Sequence, residues 1–125
     1  MIEIVKAEEK HMAAIGQLWW EFILFHQDID PIYTSLEGAI PGFIENHLRH
    51  FMESEDGLVL VAVDGTKVVG YSLSEVHRIS PGLKREKYGY IDDMAVTASY
   101  RRKGIGEKLF ADITKWFPSK DINRV

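Results

Sequence analysis

Apolar residues at Met12, Ile15, Leu18, Trp19, Phe22 and Phe25 recur at the spacing of one helix face, which predicts an amphipathic helix over Glu8 to Phe25. Glu8 and Glu9 suit its first turn, where carboxylates complement the helix dipole. A second stripe, Phe43, Ile44, Leu48, Phe51 and Met52, predicts a helix opened by Pro41 and running to about Met52. Between them Gln27 to Leu36 (QDIDPIYTSL) holds turn formers and a proline, and reads as a loop. Strands are predicted at Ile2 to Val5, Leu58 to Val63 and Lys67 to His77, the last two joined by the hairpin signal Asp64-Gly65-Thr66. A loop over Arg78 to Lys87 leads to a strand at Tyr88 to Val96, and a last helix over Glu107 to Phe117 carries Leu109, Phe110, Ile113, Trp116 and Phe117. This order of elements, without internal repeat, predicts an α/β domain.

Between the last strand and the last helix lies Arg101-Arg102-Lys103-Gly104-Ile105-Gly106. Glycines lack Cβ, so the backbone there can turn sharply and bring its N–H groups close to a ligand, while the helix start adds partial positive charge. Pyrophosphate suits such a turn, and three successive cations add charge-assisted contacts. A P-loop is excluded because Glu107 follows Gly106, where that motif needs lysine and a hydroxyl. The dinucleotide fingerprint fails at its third glycine, where Leu109 stands.

Length and composition narrow the classes. With 125 residues and 46% hydrophobic content, the chain suits one domain with a sizeable core. No apolar run approaches a membrane span, no targeting pattern opens the chain, and a cytoplasmic location follows as the default expectation. The absence of cysteine removes disulfides, thiolate metal sites and a thiol nucleophile. A net charge of −4, with few cations outside 84–103, argues against a nucleic-acid partner and fits a cationic small substrate.

The stretch resembles motif A of the GNAT N-acetyltransferases, in which Arg/Gln-x-x-Gly-x-Gly/Ala follows a strand ending in an apolar-x-Val triplet and opens a helix. Arg101, Gly104 and Gly106 after Met94-Ala95-Val96 carry that resemblance, which covers nearly the whole chain. It implies the GNAT fold, a central mixed and mostly antiparallel sheet flanked by helices. The family continues with further C-terminal strands, whereas this sequence stops at Lys120-Asp121-Ile122-Asn123-Arg124-Val125, which looks like the start of a fifth strand. The chain is therefore expected to lack those strands and to cover its open sheet edge in a homodimer, since bare edges invite pairing.

The resemblance further implies acetyl-CoA as co-substrate, bound by the Met94, Ala95 and Val96 backbone and by Arg101, Arg102, Lys103, Gly104, Ile105 and Gly106. An amine would attack the thioester directly, without a covalent enzyme intermediate. With an ammonium pKa of about 10.4, roughly one amine in two thousand is neutral at pH 7, so a proton acceptor is needed. Asp92 and Asp93 are the candidates, sent to opposite faces by strand alternation. Asp92 is favoured, because the similar polyamine acetyltransferases carry Glu-Asp there. Either carboxylate could instead pair with Lys84, Arg85 or Lys87. Glu21, His26, Tyr33 and Glu75, with Asp28 and Asp30, could line an acceptor entrance or be ordinary surface. His77 is a further possible base. His47 and His50, three apart on a helix, lack an evident third ligand, so no metal is assigned. The expected activity is acetylation of a small amine or polyamine. The alternatives are acetylation of a protein N-terminus or lysine, and a CoA-binding or dimerising module without turnover.

Overall fold

The computed structural model describes residues 2–29, 39–78 and 87–120. Four strands form one antiparallel sheet in the order β1-β2-β3-β4: β1 (Ile2–Lys6), β2 (Gly57–Asp64), β3 (Lys67–Arg78) and β4 (Lys87–Val96). Helix α1 (Met12–Ile29) and helix α2, over 39–53, cover one face, and α3 (Ile105–Trp116) covers the other.

Alternation along β2 explains the two layers. Val59 and Val61 point to α1 and α2, while Leu58, Leu60 and Ala62 point to α3. A strand covered on both faces must be apolar throughout, as GLVLVAV is. On the first face Ile15, Leu48, Val61, Tyr71 and Leu73 are buried, and on the second Val69, Ile105, Leu109 and Ile113. Full burial of each aliphatic side chain contributes roughly 1.5–3 kcal/mol, so these layers dominate the stability.

Several boundaries differ from the sequence-based expectation. Glu8 and Glu9 do not form the first turn of α1. The backbone N–H of Glu8 donates to Nδ1 of His11 at 2.9 Å, closing a 3-10 turn over Glu9–His11 that α1 follows at Met12. Gln27 to Ile29, expected in a loop, continue α1. Helix α2 contains a π-helical segment, Phe43–Leu48, between α-helical Ala39–Gly42 and Arg49–Glu53. Helix α3 begins two residues early, at Ile105, and Phe110 is exposed on it, not buried. Residues 121–125, expected to belong to a fifth strand, and most of the two predicted loops, 30–38 and 79–86, lie outside the described residues.

Two register shifts interrupt the sheet. One lies between Ala62 and Val63, where Val69 is the extra residue on β3. The other lies in β4: Leu73 pairs with Asp93 and Ser74 with Ile91, so Asp92 is a bulge residue with no cross-strand partner.

Candidate active site along strand β4

The C-terminal end of β4 leads into a 3-10 turn, Ala98–Tyr100, and then the basic run. Arg102 has φ +66° and Gly104 has φ +79°, so the chain passes twice through the left-handed region before α3 starts. For arginine that conformation costs about 1 kcal/mol, the kind of local strain that surrounding contacts must hold. Those contacts are present. Tyr100 donates its hydroxyl to Asp64 at 2.7 Å, tying the turn to the β2–β3 hairpin. This bond lowers the Asp64 carboxyl and raises the Tyr100 phenol from their ordinary values. Lys67 and Lys103 stand 5.3 and 5.0 Å from the Tyr100 ring centroid, which brings Lys67 of β3 into the cationic rim.

Arg101 is held from behind. Its Nε donates to the Val96 carbonyl at 2.9 Å, and its Nη2 lies 3.6 Å from Glu21 Oε2. The same Glu21 carboxylate accepts from Thr97 Oγ1 at 2.8 Å and from the Ala98 N–H at 3.0 Å. Glu21 therefore ties α1 to the turn.

The turn suits a phosphate group. Gly104, the N-cap of α3, supplies no side-chain acceptor, so the first N–H groups of the helix lack a capping side chain. A Cβ built on Gly104 or Gly106 meets nothing within 4 Å, so both glycines face open space, and any side chain there would occupy it. Ile105 between them is buried against α3's own layer and anchors the cradle. The Met94 to Val96 backbone pairs with β3 through Tyr71 to Ala95 and its neighbours. β4 is the last strand of the sheet among the described residues, so its other edge is unpaired there.

The bulge changes the expectation for the two aspartates. Alternation would send Asp92 and Asp93 to opposite faces, but the extra residue lets both side chains reach groups on the α1–α2 side. Asp92 Oδ2 lies 3.0 Å from His47 Nε2, on the π-helical segment of α2. Asp93 Oδ2 accepts from the Tyr71 hydroxyl at 2.6 Å. Burial pushes the Asp93 carboxyl above the usual carboxylate range; the Tyr71 hydrogen bond opposes this and the neighbouring Asp92 charge adds to it. Burial and the Asp93 charge likewise raise the Tyr71 phenol.

Sequence reasoning passed over His47 as a partner of Asp92, weighing it only with His50 as a metal pair. The signal was its place on the Phe43 and Phe51 stripe: its ring lies 5.6 Å from Phe43 and 5.1 Å from Phe51. No group of three or more metal-type ligands occurs among the described residues.

Further along the sheet, His77 is bonded to Glu75 and Tyr88 and stacks on Tyr90 at 4.5 Å. Glu75 pairs across with Tyr90, so this cluster lies a short step from Asp92 on β4. Of the other expected acceptor residues, His26 lies in α1 with its side chain outside what is described, and Tyr33 lies outside the described residues. The alternative partners Lys84 and Arg85 also lie outside them.

The last described strand runs through a glycine turn into a helix, with two carboxylates at a bulge upstream, in an α/β domain with a four-stranded antiparallel sheet flanked by helices. Residues 12–125 match the family model described as the acetyltransferase (GNAT) family, and the chain belongs to that family. Comparison with curated protein sequences finds no match. Among solved structures, a tetramutant of the BH1408 protein of Bacillus halodurans is similar with a TM-score of 0.77 at 22% identity, over 98% of this chain and 79% of that one. An acetyltransferase of Vibrio fischeri gives 0.77 at 17% identity, over 97% and 90%. An aminoglycoside 6'-N-acetyltransferase of Acinetobacter haemolyticus gives 0.75 at 12% identity, over 98% and 75%. The fold and family are those of an N-acetyltransferase. No helix of the described residues is long and apolar enough to cross a membrane.

Proposed function

We propose that the chain transfers an acetyl group from acetyl-CoA to a small primary amine or polyamine. The observation that carries this reading is the open turn at 101–106, in which left-handed Gly104 and uncrowded Gly106 start α3 beneath a rim of cations. Arg101, Arg102, Lys103 and the N–H groups at Gly104 to Gly106 would hold the pyrophosphate. The Met94 to Val96 edge would take the pantetheine amides as a strand takes a neighbour. Acetyl-CoA supplies the acyl thioester. The strand rise of about 3.3 Å per residue puts Asp92 roughly 13 Å from Val96, on the scale of an extended pantetheine arm.

At the bulge, Asp92 assists removal of the proton from the acceptor ammonium, which makes the amine nucleophilic at neutral pH. Asp93, desolvated and bonded to Tyr71, is assigned to building the site. Glu21, whose carboxylate is engaged by Thr97, Ala98 and Arg101, is assigned to holding the donor turn, not to the acceptor wall. Glu75, with His77 and the Tyr90 ring, is the described carboxylate we place on the acceptor side, where a cationic chain finds charge and an aromatic face. That an aminoglycoside acetyltransferase shares the fold agrees with an amine acceptor.

The test is calorimetric titration with acetyl-CoA beside a thiol-release assay on a panel of polyamines and lysine-like amines. Binding with amine-dependent thiol release upholds the reading. Binding without release leaves a CoA-binding module, and no binding removes the cradle.

A further inference from the structure

We infer that the proton acceptor for the amine is His47, with Asp92 acting through it; this rests on the acetyl-transfer reading above. An ionised carboxylate only accepts hydrogen bonds, so the 3.0 Å contact requires the proton on His47 Nε2. That tautomer leaves Nδ1 with its lone pair. No other hydrogen bond to the ring occurs among the described residues, and the side chain is 48% exposed, so Nδ1 can meet a substrate. Asp92 is 29% exposed and has one oxygen already occupied by His47, which makes it the poorer direct base of the two.

The ring is also oriented as a base needs to be. Phe43, His47 and Phe51 lie along one stripe of α2, and Phe43 is itself stacked on Trp19 of α1 at 4.4 Å with planes 7° apart. The tilted contact with Phe43 and the edge-to-face contact with Phe51 limit ring rotation, and the Asp92 bond fixes the flip. The π-helical segment that carries His47 is the kind of local departure found often at functional sites. Of the titratable groups around the ring, Asp92 bonds it from β4, Asp93 acts on the same side of β4, and Tyr71 of β3 is bonded to Asp93. On α2 itself, Arg49 is paired with Glu45 and His50 meets Phe51 edge to face.

In the step assigned, one ammonium proton passes to His47 Nδ1, and Asp92 stabilises the imidazolium. The neutral amine then forms the C–N bond as the C–S bond of the thioester breaks. The second amine proton goes to the departing thiolate, and the imidazolium returns its proton to solvent, so one proton is released per amide formed.

His47→Gln, compared with wild type for thiol release against pH with one active amine, tests this. The expected result is a loss of roughly 10²-fold at pH 7. The loss should shrink above pH 10, where the amine is neutral unaided, and acetyl-CoA affinity should be unchanged by calorimetry. Added imidazole should restore part of the activity of His47→Ala. His47→Gln with wild-type turnover and an unchanged profile, its Asp92 intact, overturns the assignment and leaves the carboxylate as base. No thiol release from wild type with any amine overturns the acetyl-transfer reading, and the base within it falls too.

Discussion

The turn that follows β4 and the bulge within β4 are built in opposite ways. Beyond its C-terminal end the proposed donor cradle is made from six consecutive residues, mostly through backbone, and its charge is cationic. At the bulge the proposed proton-handling group is made from side chains of β3, β4 and α2, and its carboxylates are anionic. The first needs only a local conformation, Gly104 in the left-handed region and a helix start after it. The second exists only when α2 is docked on the sheet. Changes at the cradle should therefore act on ligand affinity with little effect elsewhere, whereas changes at the bulge should mix chemistry with stability.

The largest expected separation comes from Gly106→Val. Its Cβ meets no protein atom, so the fold should stand, while the side chain blocks the approach of phosphate. Loss of two or so charge-assisted hydrogen bonds implies roughly a 10³-fold weaker acetyl-CoA affinity in calorimetry. Unchanged affinity with an unchanged melting temperature would remove the cradle from the site.

Asp92→Asn comes next. Turnover should fall roughly 10²-fold at pH 7 and recover in part above pH 10, with acetyl-CoA affinity kept. A drop in affinity equal to the drop in turnover would erase the contrast between the turn and the bulge.

Tyr71→Phe removes the hydroxyl that Asp93 accepts from, leaving a desolvated carboxylate with one donor fewer. Thermal or denaturant unfolding should show a loss of about 1–3 kcal/mol.

The smallest effect, and of opposite sign, is expected for Asp93→Asn. Because burial raises the folded carboxyl above its unfolded value, ionising it costs stability as pH rises through the folded pKa. The asparagine variant should melt higher at neutral pH, by roughly 4 °C for a gain of about 1 kcal/mol. That advantage should disappear below the unfolded carboxylate pKa of about 3.9, where both forms are neutral. A variant that melts lower at pH 7 would mean that the charge of Asp93 stabilises the fold.

The same contrast explains what could be read from the chain. The glycine turn, the hairpin and the order of elements depend on contiguous residues, and all of these are legible in glycine placement and apolar spacing. The side on which Asp92 and Asp93 act was not. Two-residue alternation is a rule for unbroken strands, and nothing in Tyr90 to Val96 announces that Asp92 will be the extra residue against β3. The contacts of Glu21 were hidden for a similar reason: its helical position was clear, but its partners lie 76 and 77 residues away. His47 offered a better signal, a polar residue on the apolar stripe of Phe43 and Phe51, yet the identity of its partner required the docked helix.

The contacts behind Arg101 have an entropic consequence. A long cationic side chain that meets an anion from free solution gives up about 2 kcal/mol of rotamer freedom in doing so. Arg101, bonded to the Val96 carbonyl and facing Glu21, has surrendered much of that freedom on folding. On the proposed role of the turn, helix α1 would contribute to donor binding without touching the donor, by keeping one guanidinium still.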